Sequence, residues 1–215
     1  MTTYHDWLVF DLGGVLVEVA AQQTTLDAFA TLSATPPERL APLLRERFGA
    51  RPWSAAERLQ VGELDFSSFH AELNQHLVRP LEPATLVAAM ESMLQGVKRD
   101  TEAVLAQLAG CVNLACYSNT NAIHWRYMQT HYGFFGYFQR RFASQELGRA
   151  KPDLAGYEQV CDGLSVEPSR CVLIDDRQAN VAGARQAGWQ AIHFESAQQL
   201  AADLKARGIA AGVSP

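Results

Sequence analysis

Residues 7–17 read Trp-Leu-Val-Phe-Asp-Leu-Gly-Gly-Val-Leu-Val, a nearly unbroken apolar run holding one carboxylate, Asp11, and a glycine pair. A run apolar on both faces predicts a strand inside a parallel sheet, and an acid at its carboxyl end falls where open α/β sheets bind ligands. From residue 17 to about 96 the pattern changes to helical spacing and no strand is predicted. Thr35-Pro36-Pro37-Glu38 has the spacing of a capping box with proline at the first helical position. Leu40, Leu43, Leu44 and Phe48 follow at helical intervals, and Pro42 is expected to break that helix into two pieces. Trp53, Ala56 and Leu59 line a further helix that Gly62 can end in a left-handed conformation. Asp65 caps the next, whose inner face is Phe66, Phe69, Leu73 and Leu77, and Pro83 opens one carrying Leu86, Met90 and Met93 before Gly96.

Beyond residue 101 helices and strands alternate. A helix with Val104, Leu105 and Leu108 precedes a strand at 112–117, then a helix near 121–131 and an extended stretch at 138–143. A helix near 153–163, a strand at 171–174, a helix at 178–187 closed by Gly188 and a strand at 190–194 complete the pattern. Strands separated by helices pair in parallel through right-handed crossovers. The expected class is therefore α/β, a doubly wound, Rossmann-like parallel sheet with a small helical cap inserted. Residues 1–16 and 97–215 form the core of that division and 17–96 the insertion, which can fold over Asp11 as a lid.

Composition narrows the range of functions. The 215 residues are 48% hydrophobic and 19% charged, with a net charge of −5. An acidic chain without a basic stripe argues against nucleic acid as a partner. The apolar runs are of strand length, and the amino terminus lacks a basic region followed by a hydrophobic stretch, so neither membrane insertion nor export is expected. Cys111, Cys116, Cys161 and Cys171 have neither metal-ligand spacing nor the density of a disulfide scaffold, which suits reduced thiols in a cytoplasm. Oligomeric state has no sequence signature here.

Three polar clusters follow other strand or turn segments. Ser118-Asn119-Thr120-Asn121 offers hydroxyl and N–H donors for an oxyanion, Lys151-Pro152 supplies a compact positive charge, and Asp175-Asp176 ends the buried run Cys171–Ile174. Two adjacent carboxylates at a strand end repel unless a cation compensates them. Each cluster also has a plainer structural reading: Ser118 and Asn119 as helix caps, Lys151 as a solvated loop residue, one of the acid pair as a cap. Together with Asp11, however, they supply what phosphoryl transfer requires: an attacking group, donors for the equatorial oxygens, and positive charge. Trp53, Glu57 and Glu63 could contact substrate or donate a proton, although a packing or solvated role suits them better. His5, His70, His76, His124, His131 and His193 lack metal spacing and are read as surface or packing residues.

In these four clusters the chain resembles the haloacid dehalogenase superfamily. Asp11-Leu12-Gly13-Gly14-Val15 resembles its first motif, Ser118-Asn119 its second, Lys151-Pro152 its third, and Asp175-Asp176 through Gly188 its fourth. The resemblance is strongest to the bacterial α-D-glucose-1-phosphate phosphatases, in the first motif, Trp53, the stretch 57–64 and Ser118–Asn121. It implies a magnesium-dependent phosphatase of a small phosphorylated metabolite, a sugar phosphate, acting through an aspartyl-phosphate on Asp11. Magnesium would be held by Asp11, the Gly13 carbonyl and Asp176, with Asp175 assisting, while Ser118, Asn119 and Lys151 hold the phosphoryl oxygens. Most phosphatases of the superfamily carry a second aspartate, the general acid and base, where this chain has Gly13. The alternatives are a 2-haloacid dehalogenase using Asp11 without metal, and a catalytically weak phosphate-binding protein. Asn180 stands where relatives often have a carboxylate and is read as orienting its neighbours.

Overall fold

The computed structural model describes residues 7–46 and 51–209. In chain order it contains β1 (Trp7–Phe10), β2 (Val17–Val19), α1 (Gln22–Ser33), α2 (Pro37–Leu44), α3 (Ala55–Gln60), α4 (Phe66–Asn74), α5 (Pro83–Glu91) and β3 (Leu94–Val97). There follow α6 (Arg99–Leu108), β4 (Asn113–Ser118), α7 (Ala122–His131), β5 (Arg140–Ala143) and α8 (Ser144–Leu147). The last elements are α9 (Leu154–Leu164), β6 (Cys171–Asp175), α10 (Gln178–Gln186), β7 (Gln190–His193) and α11 (Ala197–Ala206).

Five strands form a parallel sheet in the order β5-β4-β1-β6-β7, with β1 at its centre. Side chains alternate across it. Leu8, Phe10, Leu114, Cys116, Val172 and Ile174 enter one core with Val104, Leu105, Trp125 and Leu200. Val9, Ala115, Tyr117 and Leu173 enter the opposite core with Tyr157, Val160, Val181 and Ala184. Because both faces are covered, the central strands contain almost no polar residue until the sheet ends, as the apolar runs predict. Each fully buried Leu, Val or Phe contributes about 1.5–3 kcal/mol, so these strands are held firmly where the polar clusters begin.

Helices α1 to α5 share a third core of Leu26, Phe29, Leu40, Leu59, Phe69, Leu73, Leu86 and Met90, against which Ile123 of α7 packs. Asp65 caps α4 by accepting the Ser68 N–H at 2.7 Å, and Gly62 and Gly188 adopt positive φ angles of 70° and 85° after their helices, as expected.

Several details differ from the sequence expectations. The segment predicted to hold no strand begins and ends in one: β2 and β3 pair antiparallel, Val17 with Val97 and Glu18 with Gly96. Strands this short, distant in sequence and partly exposed, carry no usable alternation. The apolar run 7–17 is not one strand but β1, a tight turn and the start of β2. Pro42 lies within an unbroken α2; it is exposed and near the end of an eight-residue helix, where few hydrogen bonds are at stake. Thr35 does not cap α2. Pro36 occupies that position, and the Thr35 hydroxyl accepts the Val78 N–H at 2.8 Å. A capping box exists instead between Ser54 and Glu57. Helices α1, α8 and α11 had no predicted counterpart. Ala21 opens α1 without a side-chain cap, leaving no polar start signal there, whereas Ser196 caps α11 in the ordinary way. Phe48 and His5 lie outside the described residues.

Gly62 also joins the helical insertion to α8, since a Cβ on it would lie 2.5 Å from the Gln145 carbonyl oxygen. Gly62→Ala is expected to cost about 1–3 kcal/mol from positive φ and this contact together. Urea unfolding of the two proteins measures the difference, and equal midpoints would contradict it.

Candidate active site

Asp11 leaves β1 with its N–H donating to the Ile174 carbonyl at 2.9 Å, so the chain stays beside β6 one residue beyond the strand. The Leu12 carbonyl then accepts the N–H groups of Leu16 and Val17, both at 2.8 Å, and turns the chain tightly around Gly13 and Gly14. Gly14 has φ of 77°, and a Cβ on it would fall 2.2 Å from Asp176 Oδ2. Only glycine satisfies both the backbone angle and this close approach of two motifs.

Asp175 closes β6 and is fully buried. Its Oδ2 accepts from Lys151 Nζ at 2.6 Å, its Oδ1 accepts from the Arg177 N–H at 2.9 Å, and Asn180 Nδ2 donates to both oxygens at 3.0 and 3.1 Å. Lys151 is equally buried, and its Nζ lies 3.0 Å from Asp11 Oδ1. One ammonium thus bridges acids at the ends of two adjacent strands. An unpaired lysine there would cost several kcal/mol, so this pairing is a condition of the fold.

Asn119 holds the lysine in place. Its Nδ2 donates to the Lys151 carbonyl and its Oδ1 accepts the Lys151 N–H, both at 2.8 Å. Sequence reading assigned this side chain to phosphoryl oxygens; the structure commits its amide to the Lys151 peptide groups, leaving only the Asn119 main chain for that role. The capping role considered for Ser118 and Asn119 belongs to Asn121, which accepts the Ile123 and His124 N–H groups at 3.0 and 3.1 Å. Lys151 is likewise no solvated loop residue. Asn180 orients Asp175, as expected of it.

Carboxylate oxygens of Asp11, Asp175 and Asp176 lie within 4.8 Å of one another, the one cluster of metal-ligand type among the described residues. Three acids and one lysine carry a formal double negative charge. Like charges at this separation repel by about 3–4 kcal/mol per pair at an effective dielectric constant near 20. Burial, with Asp175 and Asp176 adding to it, lifts the Asp11 carboxyl to about 7 despite Lys151. Partial burial and Asp175 raise Asp176 as well. Burial opposes the Lys151 charge, but Asp11 and Asp175 outweigh it and raise that group above its ordinary value. The cluster carries surplus negative charge, and its oxygen-only donor set suits a hard divalent ion.

Asp11, Gly13, Ser118, Asn119 and Asp176 open onto a cavity of about 690 Å³. Val19 and Leu94 of the β2–β3 ribbon and Thr25, Glu46 and Gln60 of the insertion also line it. Trp53, Glu57 and Glu63 do not. The Glu57 carboxylate accepts the Ser54 N–H at 2.8 Å, Glu63 pairs with Arg51 at 2.7 Å, and Arg51 covers Trp53 at 4.3 Å. His124 reaches the cavity with both ring nitrogens engaged, Nε2 by the Met90 carbonyl and Nδ1 by Asn121 Nδ2. Sequence reading missed Lys98, whose Nζ donates to the Gly14 carbonyl at 2.5 Å and braces the glycine turn. It also missed Glu46. Neither has a local signal, since each reaches the site only through long-range packing.

An acid-centred cleft at the carboxyl ends of a doubly wound sheet, beneath a helical insertion, is the layout of a Rossmann-like α/β enzyme core. The chain belongs to the haloacid dehalogenase-like hydrolases, whose family model matches residues 5–188. A flavin mononucleotide hydrolase from Arabidopsis thaliana is 42% identical over 73 residues, 34% of this chain and 30% of that protein. A validoxylamine A 7'-phosphate phosphatase from Streptomyces hygroscopicus subsp. limoneus is 38% identical over 45 residues, 21% of each chain. The chain thus spans less than a third of either curated relative in these matches. An enzyme of the same family from Bacteroides thetaiotaomicron, solved with magnesium and inorganic phosphate, superposes with a TM-score of 0.77 at 20% identity, covering 91% of this chain and 98% of that one. An L-2-haloacid dehalogenase from Xanthobacter autotrophicus shares the fold at a TM-score of 0.62 and 20% identity, over 98% and 85% of the two chains. Among the described residues no helix is long and apolar enough to cross a membrane.

Because the folded Asp11 carboxyl titrates near 7 and the unfolded one near 3.8, the folded state retains a proton that the unfolded state has lost. Without a divalent ion, this group therefore removes stability as pH rises from about 4 to 7. Asp11→Asn is expected to raise the Tm at pH 8 in chelator by on the order of 5 °C, with the gap narrowing toward pH 4. Thermal melts across pH measure this, and a variant less stable than wild type at pH 8 would contradict it.

Proposed function

We propose that this protein is a magnesium-dependent phosphatase of a small phosphorylated metabolite, a sugar phosphate of the α-D-glucose 1-phosphate type. The carrying observation is the placement of Asp11, open to the cavity with Asp176 beside it and Lys151 behind it. In this reading residues 17–96 act as a cap over a core of 1–16 and 97–215. A cavity of about 690 Å³ accommodates a monosaccharide phosphate, within the ~300–1,000 Å³ usual for small-molecule sites.

The excess negative charge and the raised Asp11 and Asp176 carboxyls fit a divalent cation. Asp11, the Gly13 carbonyl and Asp176 would hold magnesium. Asp175, ringed by donors from Lys151, Arg177 and Asn180, would assist through water. When bound, the ion supplies positive charge that offsets the phosphoryl oxygens. Asp11 attacks phosphorus, the bond to the leaving oxygen breaks, and an aspartyl-phosphate forms; water then attacks that phosphorus and frees Asp11. Ser118, the Asn119 main chain and Lys151 hold the phosphoryl oxygens.

The metal-independent dehalogenase reading leaves the third acid, Asp176, without a purpose. The weak phosphate-binding reading draws on Gly13, which lacks the usual acid. The cysteines form no disulfide among the described residues, which suits the cytoplasmic placement within the same proposal.

Hydrolysis of a panel of phosphorylated metabolites is expected only with magnesium, and to be lost on chelation. Asp11→Asn should lower turnover by at least about 10³-fold. Dehalogenation of 2-haloacids in chelator would replace this reading. Magnesium-dependent phosphate binding with turnover no faster than Asp11→Asn would favour the binding protein.

A further inference from the structure

We propose that Glu46, from the helical insertion, carries the proton to and from the leaving oxygen in place of the acid absent at Gly13. This rests on the phosphatase reading. Four carboxylates line the cavity: Asp11, Glu18, Glu46 and Asp176. Asp11 is the nucleophile, Asp176 serves the cation, and Glu18 is exposed on the β2–β3 ribbon. His124 has both nitrogens engaged, and Lys98 is directed to the Gly14 carbonyl.

Glu46 stands differently. Its Oε1 accepts from Gln60 Nε2, and Gln60 is anchored to the core by its carbonyl, which accepts from the Ser144 hydroxyl at 2.6 Å. Gln60 is 5% exposed, yet its Oε1 has no partner, and neither has the Thr25 hydroxyl on the same wall. Unsatisfied buried acceptors beside a carboxyl group mark a place for a hydroxyl-bearing ligand. A half-turn of the Gln60 amide presents its oxygen to a protonated Glu46, whereas the observed orientation presents its N–H₂ to an ionised one, so one side chain serves both states.

Two charged side chains act on Glu46, Arg177 and Glu57. Burial raises its carboxyl above the ordinary value, the Gln60 hydrogen bond and Arg177 lower it, and Glu57 raises it. Arg177 directly follows Asp176, so Glu46 feels the charge of the loop that ends at the acid cluster. His124 nearby is held toward its neutral form by burial.

In the first step Asp11 forms a bond to phosphorus, the bond from phosphorus to the leaving oxygen breaks, and the Glu46 proton passes to that oxygen to give the free alcohol. In the second, a water proton returns to Glu46 as the water oxygen bonds to phosphorus and the bond to Asp11 breaks. Protons balance over the cycle.

The test compares wild type and Glu46→Gln, both with magnesium, on the best sugar phosphate of the panel and on p-nitrophenyl phosphate, whose leaving group needs no proton. Glu46→Gln is expected to lose about 10²–10³-fold on the sugar phosphate. With p-nitrophenyl phosphate it should keep a stoichiometric burst of p-nitrophenol followed by slow turnover. Sugar phosphate turnover within a few-fold of wild type overturns the proposal. So does loss of the burst in parallel with sugar phosphate turnover, which indicates a role in binding or folding. A wild type that cleaves p-nitrophenyl phosphate but no sugar phosphate also overturns it, while one that cleaves neither removes the phosphatase reading itself.

Discussion

The buried Lys151 is the constraint on which the site depends. Its ammonium lies between Asp11 and Asp175, acids that end neighbouring strands of the sheet. Removing the lysine leaves the two acids facing each other without compensation in the interior, a cost several times that of an ordinary exposed ion pair. The loops must therefore converge for the protein to fold, and convergence is what makes a site. Stability and chemistry share these residues.

The arrangement remains electrostatically incomplete. Lys151 compensates one carboxylate's worth of charge in a group of three, and the surplus is concentrated on Asp11 and Asp176, both of which are shifted toward their protonated forms. Asp175, in contrast, is saturated with donors. Adjacent acids thus have unequal tasks: one orients the lysine, the other faces the cavity. Gly14 permits this division because anything larger would displace Asp176.

Above this floor, the helical insertion contributes walls of another kind. Its apolar core is distinct from those on the two sheet faces, with Ile123 of α7 packed against it, and it meets the site through a few residues near helix ends, Thr25, Glu46 and Gln60 among them. In the proposed phosphatase, floor and wall would let phosphoryl chemistry and choice of leaving group be set by different parts of the chain.

Much of this was legible in the amino-acid order. Apolar runs that stop at Asp11, Ser118 and Asp175 announce buried parallel strands with polar ends, because a strand covered on both faces admits polar residues only where it leaves the sheet. One helix start was legible at Asp65, whose side chain makes the cap, and another illegible at Ala21, where none does, while the side-chain cap at Ser196 went unread. The β2–β3 ribbon was hidden because its strands are short and joined only across the whole insertion. In the site, residue identity pointed to Asp11, Lys151 and the acid pair as participants. Their partners were decided by tertiary structure alone: Asn119 on the Lys151 peptide, Lys98 on Gly14, Glu46 on Gln60. Local sequence determines burial and chain direction through period and polarity, while contacts between distant segments depend on how packed layers bring loop ends together, which no local pattern encodes.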